Sequence, residues 1–171
     1  MIENRTELLR VLNTSQISTI LVRHCNLLDL KPIFDHALKR DVAVYVNVDH
    51  IDGIHPDSAG LRFLAQQLHI AGIVSSNPRI LALGKSMELE TIQRLFAVDS
   101  TGLESALETV DSQLVDLLDI SPALVIPYVV SHTELPLPFI GSGLISTHQQ
   151  VQSVLRAGAL RVMTARPELY L

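Results

Sequence analysis

The sequence predicts an α/β fold, a small TIM-like barrel of about seven parallel strands in a single domain over residues 1–171. β-Branched apolar runs alternate with stretches of helical periodicity, and each run ends in Gly, Ser, Asn, Asp or Pro. Apolar residues form 47% of the chain and aromatic residues only 4%. Such an aliphatic core is typical of a parallel sheet covered by helices, and the length suits one domain.

The elements alternate along the chain after an opening helix near residues 6–12. Seven strands are predicted, at residues 18–22, 42–48, 72–75, 90–96, 115–120, 138–141 and 161–164. Five amphipathic helices are predicted between them, at residues 28–39, 57–68, 78–87, 102–113 and 147–157. Helix-start signals support three of these helices: Asp57, the Asn77-Pro78 pair, and Ser146 or Thr147. Residues 125–133 have no clear assignment.

An open, doubly wound parallel sheet is the alternative architecture for such a pattern. Dinucleotide-binding sheets carry a glycine-rich loop after the first strand, where this chain has Arg23-His24-Cys25-Asn26. Seven units average about 24 residues each, which is short even for a barrel, whose eight-unit form takes roughly 250 residues. The missing glycine loop favours the barrel.

The charge of the chain excludes a protein that coats nucleic acid by net charge alone. Thirteen Lys and Arg stand against eighteen Asp and Glu, for a net charge of −5. The stretch from residue 95 to 155 has seven acids and no Lys or Arg. The single Cys25 excludes an intrachain disulfide, and the chain shows neither a signal peptide nor an apolar run of the roughly 20 residues that cross a bilayer. We expect a cytoplasmic protein without membrane contact.

Candidate ligand residues follow the strands, because parallel α/β folds bind ligands at the carboxyl ends of their strands. Asp49 and Asp52 follow the second strand, and carboxylates at a strand end need a partner, a metal or a ligand. Two plainer interpretations remain open: Asp52-Gly53 is a turn and Asp57 a helix cap. A metal set of Asp49, Asp52 and His55 has no recognised ligand spacing, so we predict no metal.

Two further candidates lie within the fourth strand. Gln93 and Arg94 are neighbours there and must face opposite ways. Arg94 either pairs with Asp49 or Asp52 or binds a phosphate or carboxylate.

The Gly-Ser-Gly run of residues 141–143 is either a tight turn or half of a phosphate cradle. Thr164 stands where the other half would be, because barrels bind phosphate in their last two units. The sequence therefore predicts a small phosphorylated ligand. It has no GxSxG, HExxH or Walker motif.

Several strings in the chain resemble the family of glycerol-3-phosphate-responsive antiterminators. They are VDHIDGI, GIVSSN, ETIQRLFAVDS, GSGLIS and AGALRVMTARPELY, in this order, and the most specific is TIQRLF with Asp99-Ser100. The resemblance covers most of the chain. It implies a non-catalytic barrel that needs no cofactor, binds glycerol 3-phosphate as effector and then binds the leader mRNA of a glycerol uptake operon. The bound protein prevents a terminator hairpin from stopping transcription.

The resemblance also implies roles for particular residues. Asp49 and Asp52 would bind the hydroxyls of the glycerol, Gln93 and Arg94 would line the mouth, and the phosphate would lie on Ser142, Gly143 and Thr164. The chain departs from the family pattern at three places. Asn77 follows Ser75-Ser76 where the family tends to carry Lys or Arg, and Ser142 replaces the first of two glycines. The Leu-Pro-Gly expected after the fifth strand appears here as Asp119-Ile120-Ser121-Pro122. These departures predict weaker or altered ligand specificity.

RNA binding requires several Lys or Arg side chains close together. The candidates on the helices of the first half are Lys31, Lys39, Arg40, Arg62, Arg79 and Lys85. A homo-oligomer would align two such patches.

Two other functions stay open. One is a small phosphate-binding barrel enzyme that acts on a triose or sugar phosphate with Asp49 or Asp52 as acid or base. The other is a ligand sensor that has lost RNA binding.

Overall fold

Seven parallel strands form one sheet that follows the order of the chain. The computed structural model describes Val11 and residues 17–170, and in it each strand pairs with the next one along the sequence. The strands are β1 Thr19–Val22, β2 Ala43–Asn47, β3 Gly72–Ser75, β4 Glu90–Phe96, β5 Leu117–Ser121, β6 Phe139–Ser142 and β7 Val162–Met163. The sheet curls into a TIM-like half-barrel. The predicted fold class is confirmed, and the unbroken strand order excludes a doubly wound sheet, in which the order reverses.

Helices connect the strands. They are α1 Leu27–Leu38, α2 Ser58–Leu68, α3 Pro78–Lys85, α4 Ser100–Glu108, α5 Ile126–His132 and α6 His148–Arg156. Single 3-10 turns lie at Val48–His50, Ala123–Val125 and Pro167–Leu169. Strand bounds agree with the prediction to within two residues. The opening helix predicted over residues 6–12 lies outside the described residues, apart from Val11.

Two helices differ from the sequence prediction. The helix predicted to reach residue 113 ends at Glu108, because the hydroxyl of Thr109 donates to the Ala106 carbonyl and Asp111 accepts from the Gln113 amide in a new turn. The unassigned residues 125–133 contain α5. Pro127 lies in the first turn of this helix, where a missing N–H costs nothing.

The two faces of the sheet differ in composition. The outer face packs against the helices and holds most of the apolar core. The inner face carries a small apolar cluster of Leu21, Val74, Ile92 and Ile140, with Tyr45, Leu117 and Met163 against it. Two residues further along three of the strands, the inner face becomes polar and still buried, at Arg94, Asp119 and Ser142. The inner face of the sheet therefore changes from apolar to polar towards the carboxyl ends of the strands.

The amino end of the sheet is closed by polar contacts within the protein. The Tyr45 hydroxyl donates to Glu90 at 2.5 Å, and burial together with this carboxylate raises the pKa of Tyr45. Asp116 accepts from the Lys85 ammonium, and also from the Thr91 amide at 2.9 Å. Since these groups satisfy one another, the carboxyl end is the better candidate for a ligand.

Candidate ligand-binding site

Asp49 ties the loop after β2 to the end of β3. Its Oδ1 accepts from the Ser75 hydroxyl at 2.6 Å, and its Oδ2 accepts from the Ser76 amide at 2.8 Å and the Ser76 hydroxyl at 3.2 Å. The one-turn helix Val48–His50 begins at Asn47, whose side chain accepts from the Asp49 amide. Three protein donors therefore use the carboxylate that the sequence analysis assigned to a ligand. An ionised carboxylate has about four acceptor positions, so Asp49 retains room for one more donor.

Arg94 pairs with neither Asp49 nor Asp52. Its Nε lies 2.7 Å and its Nη2 2.6 Å from Oδ2 of Asp119 on the adjacent strand. The register sets Arg94 directly opposite Asp119, and both side chains are buried. Asp119 Oδ1 is buried and has no hydrogen-bond partner among the described residues. Asp119 was not among the residues predicted from the sequence, although an acid within the apolar run LLDIS is a signal that could have revealed it.

Gln93 faces the other way. Its amide nitrogen donates to the Thr109 hydroxyl at 2.7 Å, at the end of α4. The prediction that Gln93 and Arg94 point to opposite faces is confirmed, because β4 alternates its side chains. The expectation that Gln93 lines the mouth is wrong for the same reason, since only Arg94 faces inward.

Asp52 is exposed and anchored through its backbone. Its amide donates to the Cys25 carbonyl at 3.0 Å, and its carbonyl accepts from the Leu27 amide at 2.9 Å. Gly53 follows with a φ of 84°, as the turn interpretation requires. Asp57 caps α2 by accepting from two amides of its first turn, as the plainer interpretation had it. No group of three His, Cys, Asp or Glu within the described residues could hold a metal ion, so His55 does not complete a set with Asp49 and Asp52.

The predicted phosphate residues lie at the ends of β6 and β7. Ser142 is buried on the inner face, and Gly143 has a φ of 82°. Thr164 is half-buried, and its hydroxyl accepts from the Arg166 amide at 3.2 Å. At the start of α6, Thr147 and Gln150 form a capping box: the Gln150 amide donates to the Thr147 hydroxyl, and the Thr147 amide donates to the Gln150 side chain. Ser142, Gly143 and Thr164 offer neutral donors, and Arg166, which follows them, pairs with Glu168 at 3.5 Å.

Three basic side chains lie at the opposite side of the mouth. Arg23 and His24 follow β1, and His50 ends the turn after β2. The rings of His24 and His50 stack with centroids 4.8 Å apart. Sequence reasoning missed this group, although Arg23 and His24 come directly after a strand and the same rule that selected Asp49 would have selected them.

The six RNA candidates lie on three consecutive helices or just beyond them. Lys31 pairs with Asp35 at 3.4 Å, and Lys85 with Asp116. Arg62 is exposed and lines a surface groove of about 520 Å³ between α2 and the residues after α3. Helix α2 packs against both α1 and α3, so these helices form one continuous outer face.

Another surface cavity of about 530 Å³ lies at the amino end of the sheet. The residues after α5 and α6 line it, and Glu134 is its one charged lining residue. An acidic side chain repels a phosphate, so this cavity does not suit the predicted ligand. No helix in residues 17–170 has both the length and the apolarity to cross a membrane.

A family model described as "Glycerol-3-phosphate responsive antiterminator" matches residues 1–170. The chain belongs to this family. The description of the family is that of a regulatory protein. A search of curated proteins found no match.

Solved structures support the fold of this antiterminator family member. The glycerol uptake operon antiterminator regulatory protein of Listeria monocytogenes is 24% identical, with a TM-score of 0.90 over 99% of this chain and 91% of its own. A glycerol uptake operon antiterminator-related protein of Thermotoga maritima is 21% identical, with a TM-score of 0.82 over 92% and 90%. Orotidine 5'-phosphate decarboxylase of Pyrococcus horikoshii is 12% identical, with a TM-score of 0.66 over 95% and 85%, and shares only the barrel architecture.

Proposed function

We propose that this protein is a cytoplasmic antiterminator that binds glycerol 3-phosphate at the carboxyl end of its sheet and, once loaded, binds the leader mRNA of a glycerol operon. It needs no cofactor and catalyses no reaction. Family membership supports the regulatory role. The change of the inner face from apolar to polar supports a ligand site at this end of the sheet.

The observation that carries the ligand proposal is the buried inner-face group of Arg94, Asp119 and Ser142. Burying an ion pair is costly, and an apolar core would be at least as stable. A polar group held at the end of a sheet that binds ligands there is better explained by recognition than by stability. We assign Asp49 and Asp52 to the glycerol hydroxyls, and we omit Gln93, which faces α4.

The outer face of α1–α3 is the best candidate for the RNA surface. All six basic candidates are on it or beside it, whereas residues 95–155, which include α4, α5 and most of α6, contain no Lys or Arg. RNA phosphates would therefore be repelled by one side of the protein and attracted to the other. A homo-oligomer would place two such faces side by side.

The ligand is tested by thermal unfolding of the purified protein with glycerol 3-phosphate, using glycerol and inorganic phosphate as controls. At a hundred times its Kd, a ligand adds about 2.7 kcal/mol of stability, which raises the Tm by several degrees for a domain of this size. Stabilisation by glycerol 3-phosphate above that by either control supports the proposal. Equal behaviour of all three compounds contradicts it.

The RNA step is tested by fluorescence anisotropy with a labelled leader transcript, with and without glycerol 3-phosphate. We expect the ligand to tighten RNA binding at least tenfold and Arg62→Gln to weaken it. Arg156→Gln on α6 is the matched control and should leave binding unchanged. The slope of the logarithm of RNA affinity against the logarithm of salt concentration should be smaller for Arg62→Gln by about 1, the contribution of one phosphate contact.

Two outcomes would point to the other functions. Ligand binding without RNA binding at low salt would indicate a sensor that acts through another partner. Turnover of a triose phosphate, abolished by Asp49→Asn or Asp52→Asn, would indicate an enzyme.

A further inference from the structure

Arg23, His24 and His50 form a compact basic cluster, which we call the mouth cluster. The Arg23 Nη2 atom lies 2.5 Å from Nε2 of His24, and the imidazoles of His24 and His50 stack with an interplanar angle of 30°. The His24 amide also donates to the His50 carbonyl at 2.9 Å, so the backbones after β1 and β2 are held together. Three side chains able to carry positive charge are thereby fixed beside one another.

The backbone at His24 is unusual for its position. Five non-glycine residues of the described chain have a positive φ, and three of them, Asp41, His69 and Glu88, follow helix ends where this conformation is common. The other two follow strands: His24, with a φ of 54°, follows β1, and Leu144, with a φ of 58°, follows β6. A non-glycine residue in this conformation is uncommon outside such caps, and such strain concentrates at binding sites. At His24, the imidazole stacks on the ring of His50.

The electrostatics of the mouth cluster favour an anion. Burial lowers the pKa of His50, and so do the nearby charges of His24, Arg23 and the inner-face Arg94. Asp49 opposes this effect, but its carboxylate accepts three hydrogen bonds from Ser75 and Ser76 and does not cancel it. A bound phosphate would oppose this lowering, because an anion beside the His50 imidazole favours its protonated form.

We propose that the mouth cluster, and not the β6–β7 side of the mouth, binds the phosphate group of the ligand. This inference rests on the proposed ligand, glycerol 3-phosphate. Arg23 donates from its guanidinium, and His24 and His50 donate from their imidazoles. The cluster supplies the basic contact that the sequence lacks at Asn77. Ser142, Gly143 and Thr164 supply only neutral donors, and the amides of Ser146 and Thr147, just before α6, already donate to Gln150.

The proposal is tested by calorimetric titration of glycerol 3-phosphate into four variants. We expect Arg23→Gln and His50→Gln to raise its Kd at least tenfold, and Thr164→Ala to change it less than threefold. His36→Gln is the matched control, because His36 is an exposed histidine in the last turn of α1, away from the mouth. A large loss of affinity in Thr164→Ala with none in Arg23→Gln and His50→Gln would overturn the proposal.

A second measurement needs no variant. NMR titration of the histidine ring signals should show the midpoints of His24 and His50 shifted to higher pH by inorganic phosphate, with His36 unmoved, because a bound anion favours the imidazolium. Unmoved midpoints for His24 and His50 would overturn the proposal. A protein that ignores glycerol 3-phosphate but shows these shifts with inorganic phosphate would retain the anion site and refute the proposed ligand.

Discussion

The guanidinium of Arg94 and the carboxylate of Asp119 form a buried ion pair between adjacent strands on the inner face of the sheet. Both Nε and Nη2 of Arg94 approach one oxygen, Oδ2, at 2.7 and 2.6 Å. The side chains are 5% and 0% exposed. Removing one member leaves the other charged in a medium of low polarity.

We expect Asp119→Ala to lower the free energy of unfolding by about 3–5 kcal/mol, because Arg94 is left buried without its counter-charge. Urea unfolding measures this loss. The double variant Arg94→Met/Asp119→Leu should recover much of it, since no charge then remains buried. Asp35→Ala breaks the exposed pair with Lys31 and should cost at most about 0.5 kcal/mol. Equal losses for Asp119→Ala and Asp35→Ala would contradict this account.

Asp49 should stabilise the end of β3 whether or not a ligand is bound. We expect Asp49→Ala to cost about 1–3 kcal/mol, because the Ser75 hydroxyl is buried and would lose its acceptor. Hydrogen exchange of the Ser76 amide should accelerate in this variant, since that amide donates to Asp49. Asp52→Ala, in the same loop, is the control and should leave that amide protected. Unchanged protection of the Ser76 amide in Asp49→Ala would show that Asp49 does not hold the end of β3 in place.

Gly60 and Gly102 offer a matched pair, since each is the third residue of a helix and each amide donates to a capping aspartate. A Cβ at Gly60 would lie 1.9 Å from the His55 carbonyl oxygen, so the loop that follows Asp52 would have to move. We expect Gly60→Ala to cost about 3 kcal/mol. At Gly102 the nearest atom is the Asp99 side-chain oxygen at 3.2 Å, and Gly102→Ala should change stability by less than about 1 kcal/mol. Thermal unfolding distinguishes the two, and similar Tm values would contradict the prediction.

Asp116 should contribute to acid sensitivity. Burial alone would raise the pKa of Asp116, but the hydrogen bonds from Lys85 and Thr91 outweigh it and hold that pKa below its ordinary value near 3.8. A carboxyl group whose pKa is lowered in the folded state stabilises the protein at pH values above its ordinary pKa. This contribution is lost as the pH falls through the pKa of the folded state. The free energy of unfolding, measured with urea from about pH 6 down to pH 3, should therefore fall less steeply for Asp116→Asn than for the unaltered protein.

The exposed acid Glu104 on α4 provides the control for that measurement. Glu104→Gln should keep the full slope of stability against pH. An Asp116→Asn slope equal to that of the unaltered protein would show that the contacts with Lys85 and Thr91 do not set the acid response.

Local patterns determined most of the fold. Strand alternation, apolar runs and helix caps such as Asp57 depend on neighbours within about four residues, so the sequence alone determined seven strands in order and all but one of the helices after residue 17. The same alternation correctly set Gln93 and Arg94 on opposite faces. It could not say which of the two faced inward.

Only the tertiary structure determined which distant side chains contact each other. Arg94 selects Asp119 and not Asp49 because the register of β4 on β5 places them side by side, and register depends on residues 25 positions apart. Asp49 is engaged by Ser75 and Ser76 for the same kind of reason. The mouth cluster also requires the structure, because His24 and His50 are brought into contact only when the loops after two neighbouring strands meet.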